Sequence, residues 1–166
     1  VNEHVVTVNG FSKTYAMTGW RLGYLRAPRW LARRIIAFQS HTTSNPTTFA
    51  QYGAIAALEG KADKEVRHMC EEFAKRRDLV YELISAIPGV KCIRPQGAFY
   101  LLCDVSSFGM TSEEFCNRLL AEEKLAAIPC CSFGAEGQIR LSYACSEENI
   151  RDAAGRLDAF CREHGN

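Results

Sequence analysis

Asn9-Gly10-Phe11-Ser12-Lys13-Thr14-Tyr15-Ala16-Met17-Thr18-Gly19-Trp20-Arg21-Leu22-Gly23-Tyr24 is the stretch on which the reading of this chain turns. Just before it, Val5-Val6-Thr7-Val8 is a β-branched run that ends in the turn pair Asn9-Gly10, so a strand is expected to deliver the chain into a loop. Phe11 to Trp20 has no clean period, and Leu22 to Ala27 is expected to return as a strand before Pro28. An amine, Lys13, therefore stands at the end of a strand, among hydroxyls and two glycines, Gly19 and Gly23, that permit close backbone approach. A second cation, Arg21, follows eight residues on. A lysine held near another cation and partly out of water acts as a nucleophilic free amine near neutral pH, as Schiff-base chemistry requires. The planar donor fork of Arg21 suits a phosphate. A solvated loop carrying two cations has the same spacing, and the pattern alone leaves both readings open.

Working outward, Pro28 is expected to start a helix through Leu31, Ile35 and Phe38, followed by a polar loop from His41 to Pro46. A further helix is predicted from about Thr47 to Glu59, broken at Gly60. Val66, Met69/Cys70, Phe73, Val80, Ile84 and Ile87 form the strongest helical stripe, with Lys75-Arg76-Arg77 off it as a solvated face. Pro88-Gly89 stops that helix, and Val90 to Ile93 reads as a short strand. Ala98 to Val105 is apolar at nearly every position, which predicts a strand covered on both faces. Thr111-Ser112-Glu113-Glu114 is a capping box opening a helix with Phe115, Leu119 and Leu120 inward. Ile139-Arg140-Leu141-Ser142-Tyr143 alternates strictly, so Arg140 and Ser142 point away from the apolar face. Ser146 caps a last helix whose buried stripe is Ile150, Ala154, Leu157 and Phe160/Cys161. Strands alternating with helices predict α/β or α+β architecture.

Composition narrows the function classes. The chain has 166 residues, 47% of them hydrophobic, with 20 Lys+Arg against 19 Asp+Glu, so its net charge is +1. That is a globular composition, and the charge balance points to neither nucleic acid nor an anionic membrane as partner. No apolar run approaches the ~18 residues that span a bilayer. The eight cysteines include no C-x-x-C pair, and His4, His41, His68 and His164 lack metal-ligand spacing, so reduced thiols in a cytoplasmic protein without a metal are expected. The numbering opens at Val1 inside an expected strand, which suggests a piece of a longer chain.

Ser12-Lys13-x-x-x-Met17-x-Gly19-x-Arg21-x-Gly23-Tyr24 resembles the lysine motif of fold-type I, class I/II pyridoxal-phosphate-dependent aminotransferases, in the wording of their aspartate-aminotransferase-like branch. Thr43-Ser44-Asn45-Pro46, Pro95-x-Gly97-Ala98-Phe99-Tyr100 and Ile139-Arg140-Leu141-Ser142-Tyr143-Ala144, followed by Ser146-Glu147-Glu148-Asn149, match in the same order. The resemblance implies the C-terminal portion of that α/β fold: residues 1–60 as the end of the large cofactor domain and 61–166 as an α+β small domain. It implies that Lys13 is the Schiff-base lysine for pyridoxal 5'-phosphate and carries the proton. Arg21, with Ser12 beside it, would hold the cofactor phosphate. Arg140 would clamp the α-carboxylate of an amino acid or 2-oxo acid, Phe99 would line the substrate cleft, and Ser44 and Asn45 would lie near the partner subunit of a homodimer. As plain sequence, Phe99 is a core aromatic, Arg140 a surface arginine and Ser44-Asn45 a turn.

The pattern departs from the family in places. Gly10 stands where many relatives carry a phosphate-binding serine, and Cys130 replaces a glycine in Pro129-Cys130-Cys131-Ser132-Phe133-Gly134. Ser40 stands where some dicarboxylate-specific members have arginine, so aspartate specificity has no support. The family's glycine-containing phosphate turn, ring-stacking aromatic and pyridine-holding Asn, Asp and Tyr are not among these residues, and the 166 residues alone are expected to be catalytically incompetent. Carbon–sulfur lyases and cyclopropane-carboxylate synthases of the same fold share the lysine and arginine. An aminotransferase-like effector domain of a transcription regulator would also keep them.

Overall fold

The structure, a computed structural model, describes residues 3–165. The β-branched run does enter a strand, but two residues later than its apolar start suggests: β1 is Thr7–Gly10 and pairs antiparallel with β2, Gly23–Arg26, in the register Thr7↔Arg26 to Gly10↔Gly23. Pro28, with its fixed φ, is the residue before α1, Arg29–Thr42. That helix runs through His41, where a loop was expected, and none of its side chains is buried among the described residues. α2 follows as Thr48–Leu58, with Ala50, Ala54 and Ala57 on its buried side.

α3, Asp63–Ser85, begins with Asp63 and Glu65, which suit a helix N-terminus. Its stripe is buried toward the C-terminal end, at Val80 and Ile84, whereas Cys70 is exposed. Contacts divide the chain into two compact units, Val1–Met69 and Cys70–Asn166. The boundary expected at Gly60 lies in the turn before α3.

The second unit is built on a four-stranded antiparallel sheet of order β3-β4-β6-β5, with β3 Lys91–Cys92, β4 Tyr100–Asp104, β5 Ile128–Pro129 and β6 Gln138–Ser142. One face packs on α3, on α4 (Ser112–Glu123) and on α5 (Glu147–His164) through Leu101, Cys103, Ile139, Phe115, Leu119, Leu157 and Phe160, all fully buried. Both expected caps form: Thr111 Oγ1 accepts from Glu114 N at 3.1 Å, and Ser146 Oγ accepts from Asn149 N at 3.2 Å. Two expectations are corrected. β4 is covered on one face only, because alternation puts Tyr100 and Leu102 on the side opposite the helices, and Leu102 is 47% exposed. Leu120 points to solvent, and Cys116, one position off the expected stripe, is buried in its place.

Candidate functional site

The lysine loop hangs between β1 and β2 and is anchored from within. Phe11 N donates to Leu22 O at 3.3 Å, which extends the ladder by one rung. Phe11, Met17 and Leu22 are buried with Ala50, Ala54 and Ala57 of α2. The Phe11 ring also meets Tyr15 at 5.6 Å and Tyr24 at 5.3 Å. With these apolar side chains turned inward, the polar ones between them turn outward. Ser12 is half-buried, and Lys13 and Arg21 are exposed. The desolvation asked of Lys13 by the sequence reading is therefore not provided by the described residues.

The loop backbone is tight and locally strained. Tyr15 N and Ala16 N donate back to Phe11 O and Lys13 O, each at 3.2 Å. Ala16 and Arg21 adopt left-handed φ of 54° and 53°. Such conformations cost an L-residue about 1–2 kcal/mol each and persist where packing over-determines them. Part of that packing is Trp20 against Gly53 of α2, where a Cβ would come within 2.5 Å of the indole. Arg21 Nη1 donates to Thr18 O at 2.9 Å, which tethers the guanidinium across the last turn of the loop. An amine, a hydroxyl and a guanidinium thus share one packed loop, a donor set that fits a phosphate-bearing aldehyde.

Ser44 and Asn45 are exposed in the connection between α1 and α2. Ser44 has φ 63°, and Asn45 Nδ2 and Gln51 Nε2 both donate to Pro46 O, at 2.7 and 2.8 Å, so this exposed turn has a defined shape.

In the second unit Arg140 lies on the open face of β6, opposite Leu102 of β4. Its guanidinium sits 4.3 Å from the Tyr100 ring centroid and 5.2 Å from that of Phe133. Its Nε is buried and has no hydrogen-bond partner among the described residues. A buried donor without a partner costs about 1–3 kcal/mol, so its presence calls for a ligand to satisfy it. Flat aromatic walls hold a planar cation while leaving its donor edge available.

Phe99 is partly buried at the edge of the core. Its ring meets Phe73 at 6.0 Å and packs against the core, and the side chain that reaches Arg140 is that of its neighbour Tyr100. Ala98, with φ 60°, turns the chain at this point, and its carbonyl accepts from Tyr143 Oη at 3.0 Å. Sequence reasoning missed Tyr100 and Phe133. Both stand in motifs quoted above, Pro95-x-Gly97-Ala98-Phe99-Tyr100 and Pro129-Cys130-Cys131-Ser132-Phe133-Gly134, but the sequence does not say which face of β4 is open or that the Phe133 turn reaches Arg140.

Glu122, Glu163 and His164 bring ligand-type atoms within 4.8 Å of one another. His164 Nε2 lies 2.6 Å from Glu122 Oε2, and Arg118 Nε donates to Glu122 Oε1 at 3.0 Å. These contacts hold the Glu122 carboxyl below its ordinary value, so its charge is already answered and the group ties α4 to α5.

Similarity to known proteins extends over both units. The family model described as aminotransferase class I and II matches residues 1–157. An aspartate aminotransferase of Pyrococcus abyssi is 41% identical over 164 residues, which cover 97% of this chain and 42% of that protein. A probable aspartate/prephenate aminotransferase of Aquifex aeolicus is 44% identical over 170 residues, covering 98% of this chain and 42% of its own length. Among solved structures, an aromatic aminotransferase of Pyrococcus horikoshii aligns with a TM-score of 0.91 at 40% identity, over 97% of this chain and 44% of that one. The chain spans about 42% of the length of these curated relatives.

Proposed function

The chain belongs to the class I and II aminotransferase family, and from that premise we propose that the whole protein is a pyridoxal 5'-phosphate-dependent transaminase, moving an amino group from an amino acid to a 2-oxo acid. Lys13 is the residue that carries the cofactor and moves the proton at the substrate Cα. Arg21 and Ser12 take the cofactor phosphate. When bound, the cofactor supplies an electron sink for the charge that develops at Cα. Residues 1–60 are the end of the cofactor domain in this reading, and 61–166 the small domain. The exposed Ser44-Asn45 turn faces a second subunit of a homodimer, and the reduced thiols go with a cytoplasmic protein.

The observation that carries the proposal is Arg140. A planar guanidinium between two rings, with a buried Nε that no described residue satisfies, is suited to accept a carboxylate by two parallel hydrogen bonds. Acidic and aromatic amino acids, named for the relatives, share the α-carboxylate, which is the group Arg140 recognises. Arg140 would hold the carboxylate end of the substrate and Arg21 the phosphate end of the cofactor, which restricts the orientations each can take. Lys13 then takes the proton from a short tether and returns it, which is general acid–base work. Borohydride reduction of the intact protein with pyridoxal phosphate, followed by peptide mapping, should place the reduced adduct on Lys13. Amino-donor turnover should depend on an added 2-oxo acid and be lost in Lys13→Ala. An adduct mapped elsewhere, or turnover that releases ammonia without an oxo acid, would sink the proposal.

A further inference from the structure

The open face of the sheet and its motif residues leave one pair of reactive groups unaccounted for, shared between the edge strand β3 and its neighbour β4. Cys92 stands opposite Cys103 in the β3–β4 register, and their Sγ atoms lie 3.4 Å apart. Both are free thiols. The backbone identifies the kind of pair they form. Val105 N donates to Gly137 O, and Tyr143 N donates to Phe99 O. Alternate residues of β4, Cys103 among them, therefore aim their N–H and C=O groups at β6 and turn none toward β3. The Cys92↔Cys103 pair is thus the close, non-hydrogen-bonded kind, for which Cα atoms lie about 4.5 Å apart. That spacing falls inside the window of about 4.4–6.8 Å within which a disulfide closes without moving the backbone.

The two thiols are unequal. Cys103 is fully buried in the core, whereas Cys92, on the edge strand, packs against that core only in part and is half-buried. The contact with Cys103 holds the Cys92 thiol below its ordinary value, while the same contact and burial push Cys103 up. Thiolate character and access therefore coincide on Cys92, with a second thiol in contact behind it, the arrangement of an attacking and a resolving cysteine.

We propose that Cys92 and Cys103 are a peroxide-sensitive dithiol that closes to a cross-strand disulfide. The Cys92 thiolate attacks one oxygen of hydrogen peroxide; an S–O bond forms, the O–O bond breaks, and the departing hydroxide takes a proton to become water. Cys103 sulfur then attacks the Cys92 sulfenic sulfur. The S–S bond forms, the S–O bond breaks, and the hydroxyl leaves as water with the Cys103 proton. Two electrons pass from the two sulfurs to one peroxide, and a dithiol reductant reverses the change. The pair is eleven residues apart, and the segment it closes is the one that contains Pro95 to Tyr100. Oxidation staples the turn that places Tyr100 against Arg140.

The test uses the intact protein, fully reduced, treated with hydrogen peroxide, quenched with catalase, unfolded and alkylated with N-ethylmaleimide. The expected result is two fewer alkylated cysteines, a mass lower by two hydrogens before alkylation, and a chymotryptic map that joins the Cys92 peptide to the Cys103 peptide. Dithiothreitol should restore both thiols. Cys92→Ser should abolish the loss of two thiols, and Cys103→Ser should leave a dimedone-reactive sulfenic acid on Cys92. Because Cys103 is buried and its variant can fail to fold, the wild-type map and Cys92→Ser decide. Full alkylation after peroxide, a disulfide mapped to Cys130–Cys131 or another pair, or Cys92 gaining two or three oxygens while Cys103 stays reduced would overturn the proposal.

Discussion

Replacing Arg140 by lysine keeps the charge and removes the fork, so the variant separates carboxylate recognition from simple attraction. The magnitude follows from the contacts. A bidentate carboxylate clamp makes two charge-assisted hydrogen bonds, and a lysine ammonium on a flexible stem makes about one of them. One such bond contributes about 1.5–3 kcal/mol. The guanidinium also lies between Tyr100 and Phe133, at 4.3 and 5.2 Å; that stacking, worth about 0.5–1 kcal/mol, is present without substrate, so its loss falls on stability and not on kcat/KM. The lost hydrogen bond alone, about 1.5–3 kcal/mol, corresponds to roughly a 10- to 150-fold fall in kcat/KM. The assay is the single-turnover half-reaction of the intact protein with an amino acid donor, followed by cofactor absorbance, with urea unfolding as a control. Stability should change little, because removing a buried donor that has no partner offsets the lost stacking. A kcat/KM within about threefold of wild type, with the fold intact, would refute the reasoning, since each tenfold corresponds to about 1.4 kcal/mol.

Two further outcomes are expected. Tyr143→Phe keeps a buried ring but leaves the Ala98 carbonyl without its 3.0 Å hydroxyl partner, and the urea midpoint should fall by an amount worth about 1–2 kcal/mol at unchanged m; no change would mean that the turn at Ala98 is held by other contacts. Asp78 accepts from Arg77 and Arg94, which lower its pKa from 3.8 to about 2. A depressed carboxyl contributes stability above its unfolded value and loses it as pH falls through the folded one. The gap in urea midpoint between wild type and Asp78→Asn should therefore be constant near neutral pH and close between pH 4 and pH 2. A gap that persists at pH 2 would show that the ion pairs are not its source.

Much of the second unit was legible because its signals are local. Strict alternation at Ile139 to Tyr143 placed Ile139, Leu141 and Tyr143 in the core, and the caps at Thr111 and Ser146 rest on side chains bonding their own first turns. What stayed hidden depends on register and on distant segments. A run such as Ala98 to Val105, apolar throughout, does not say which face is covered; the open face became clear only once Leu102 was seen opposite Arg140. Tyr100 and Phe133 meet Arg140 from a neighbouring strand and a remote turn, and Cys92 meets Cys103 only through strand pairing. The packing of Trp20 on Gly53 joins a loop to a helix far along the chain, and no periodic pattern encodes it.

Backbone torsion adds a criterion that residue identity does not supply. Five described residues other than glycine have positive φ: Ala16, Arg21, Ser44, Ala98 and Lys124. Lys124 closes α4, where its N–H reaches the Leu119 and Leu120 carbonyls, an ordinary helix ending. The other four fall in the lysine loop, in the Ser44-Asn45 turn and immediately before Phe99-Tyr100. Alanine and arginine are not residues that turn chemistry selects for this region, so nothing in their identity announces the conformation. Each of these backbones gives up about 1–2 kcal/mol that a glycine would recover. Such strain is kept where the direction of a side chain matters more than the local backbone energy. At Arg21 the side chain is a guanidinium tethered to Thr18, and at Ala98 it is the following Tyr100, set against Arg140. The motif resemblance and the strained torsions therefore single out the same three segments on different grounds, one from which residues are present and the other from how their backbone is bent.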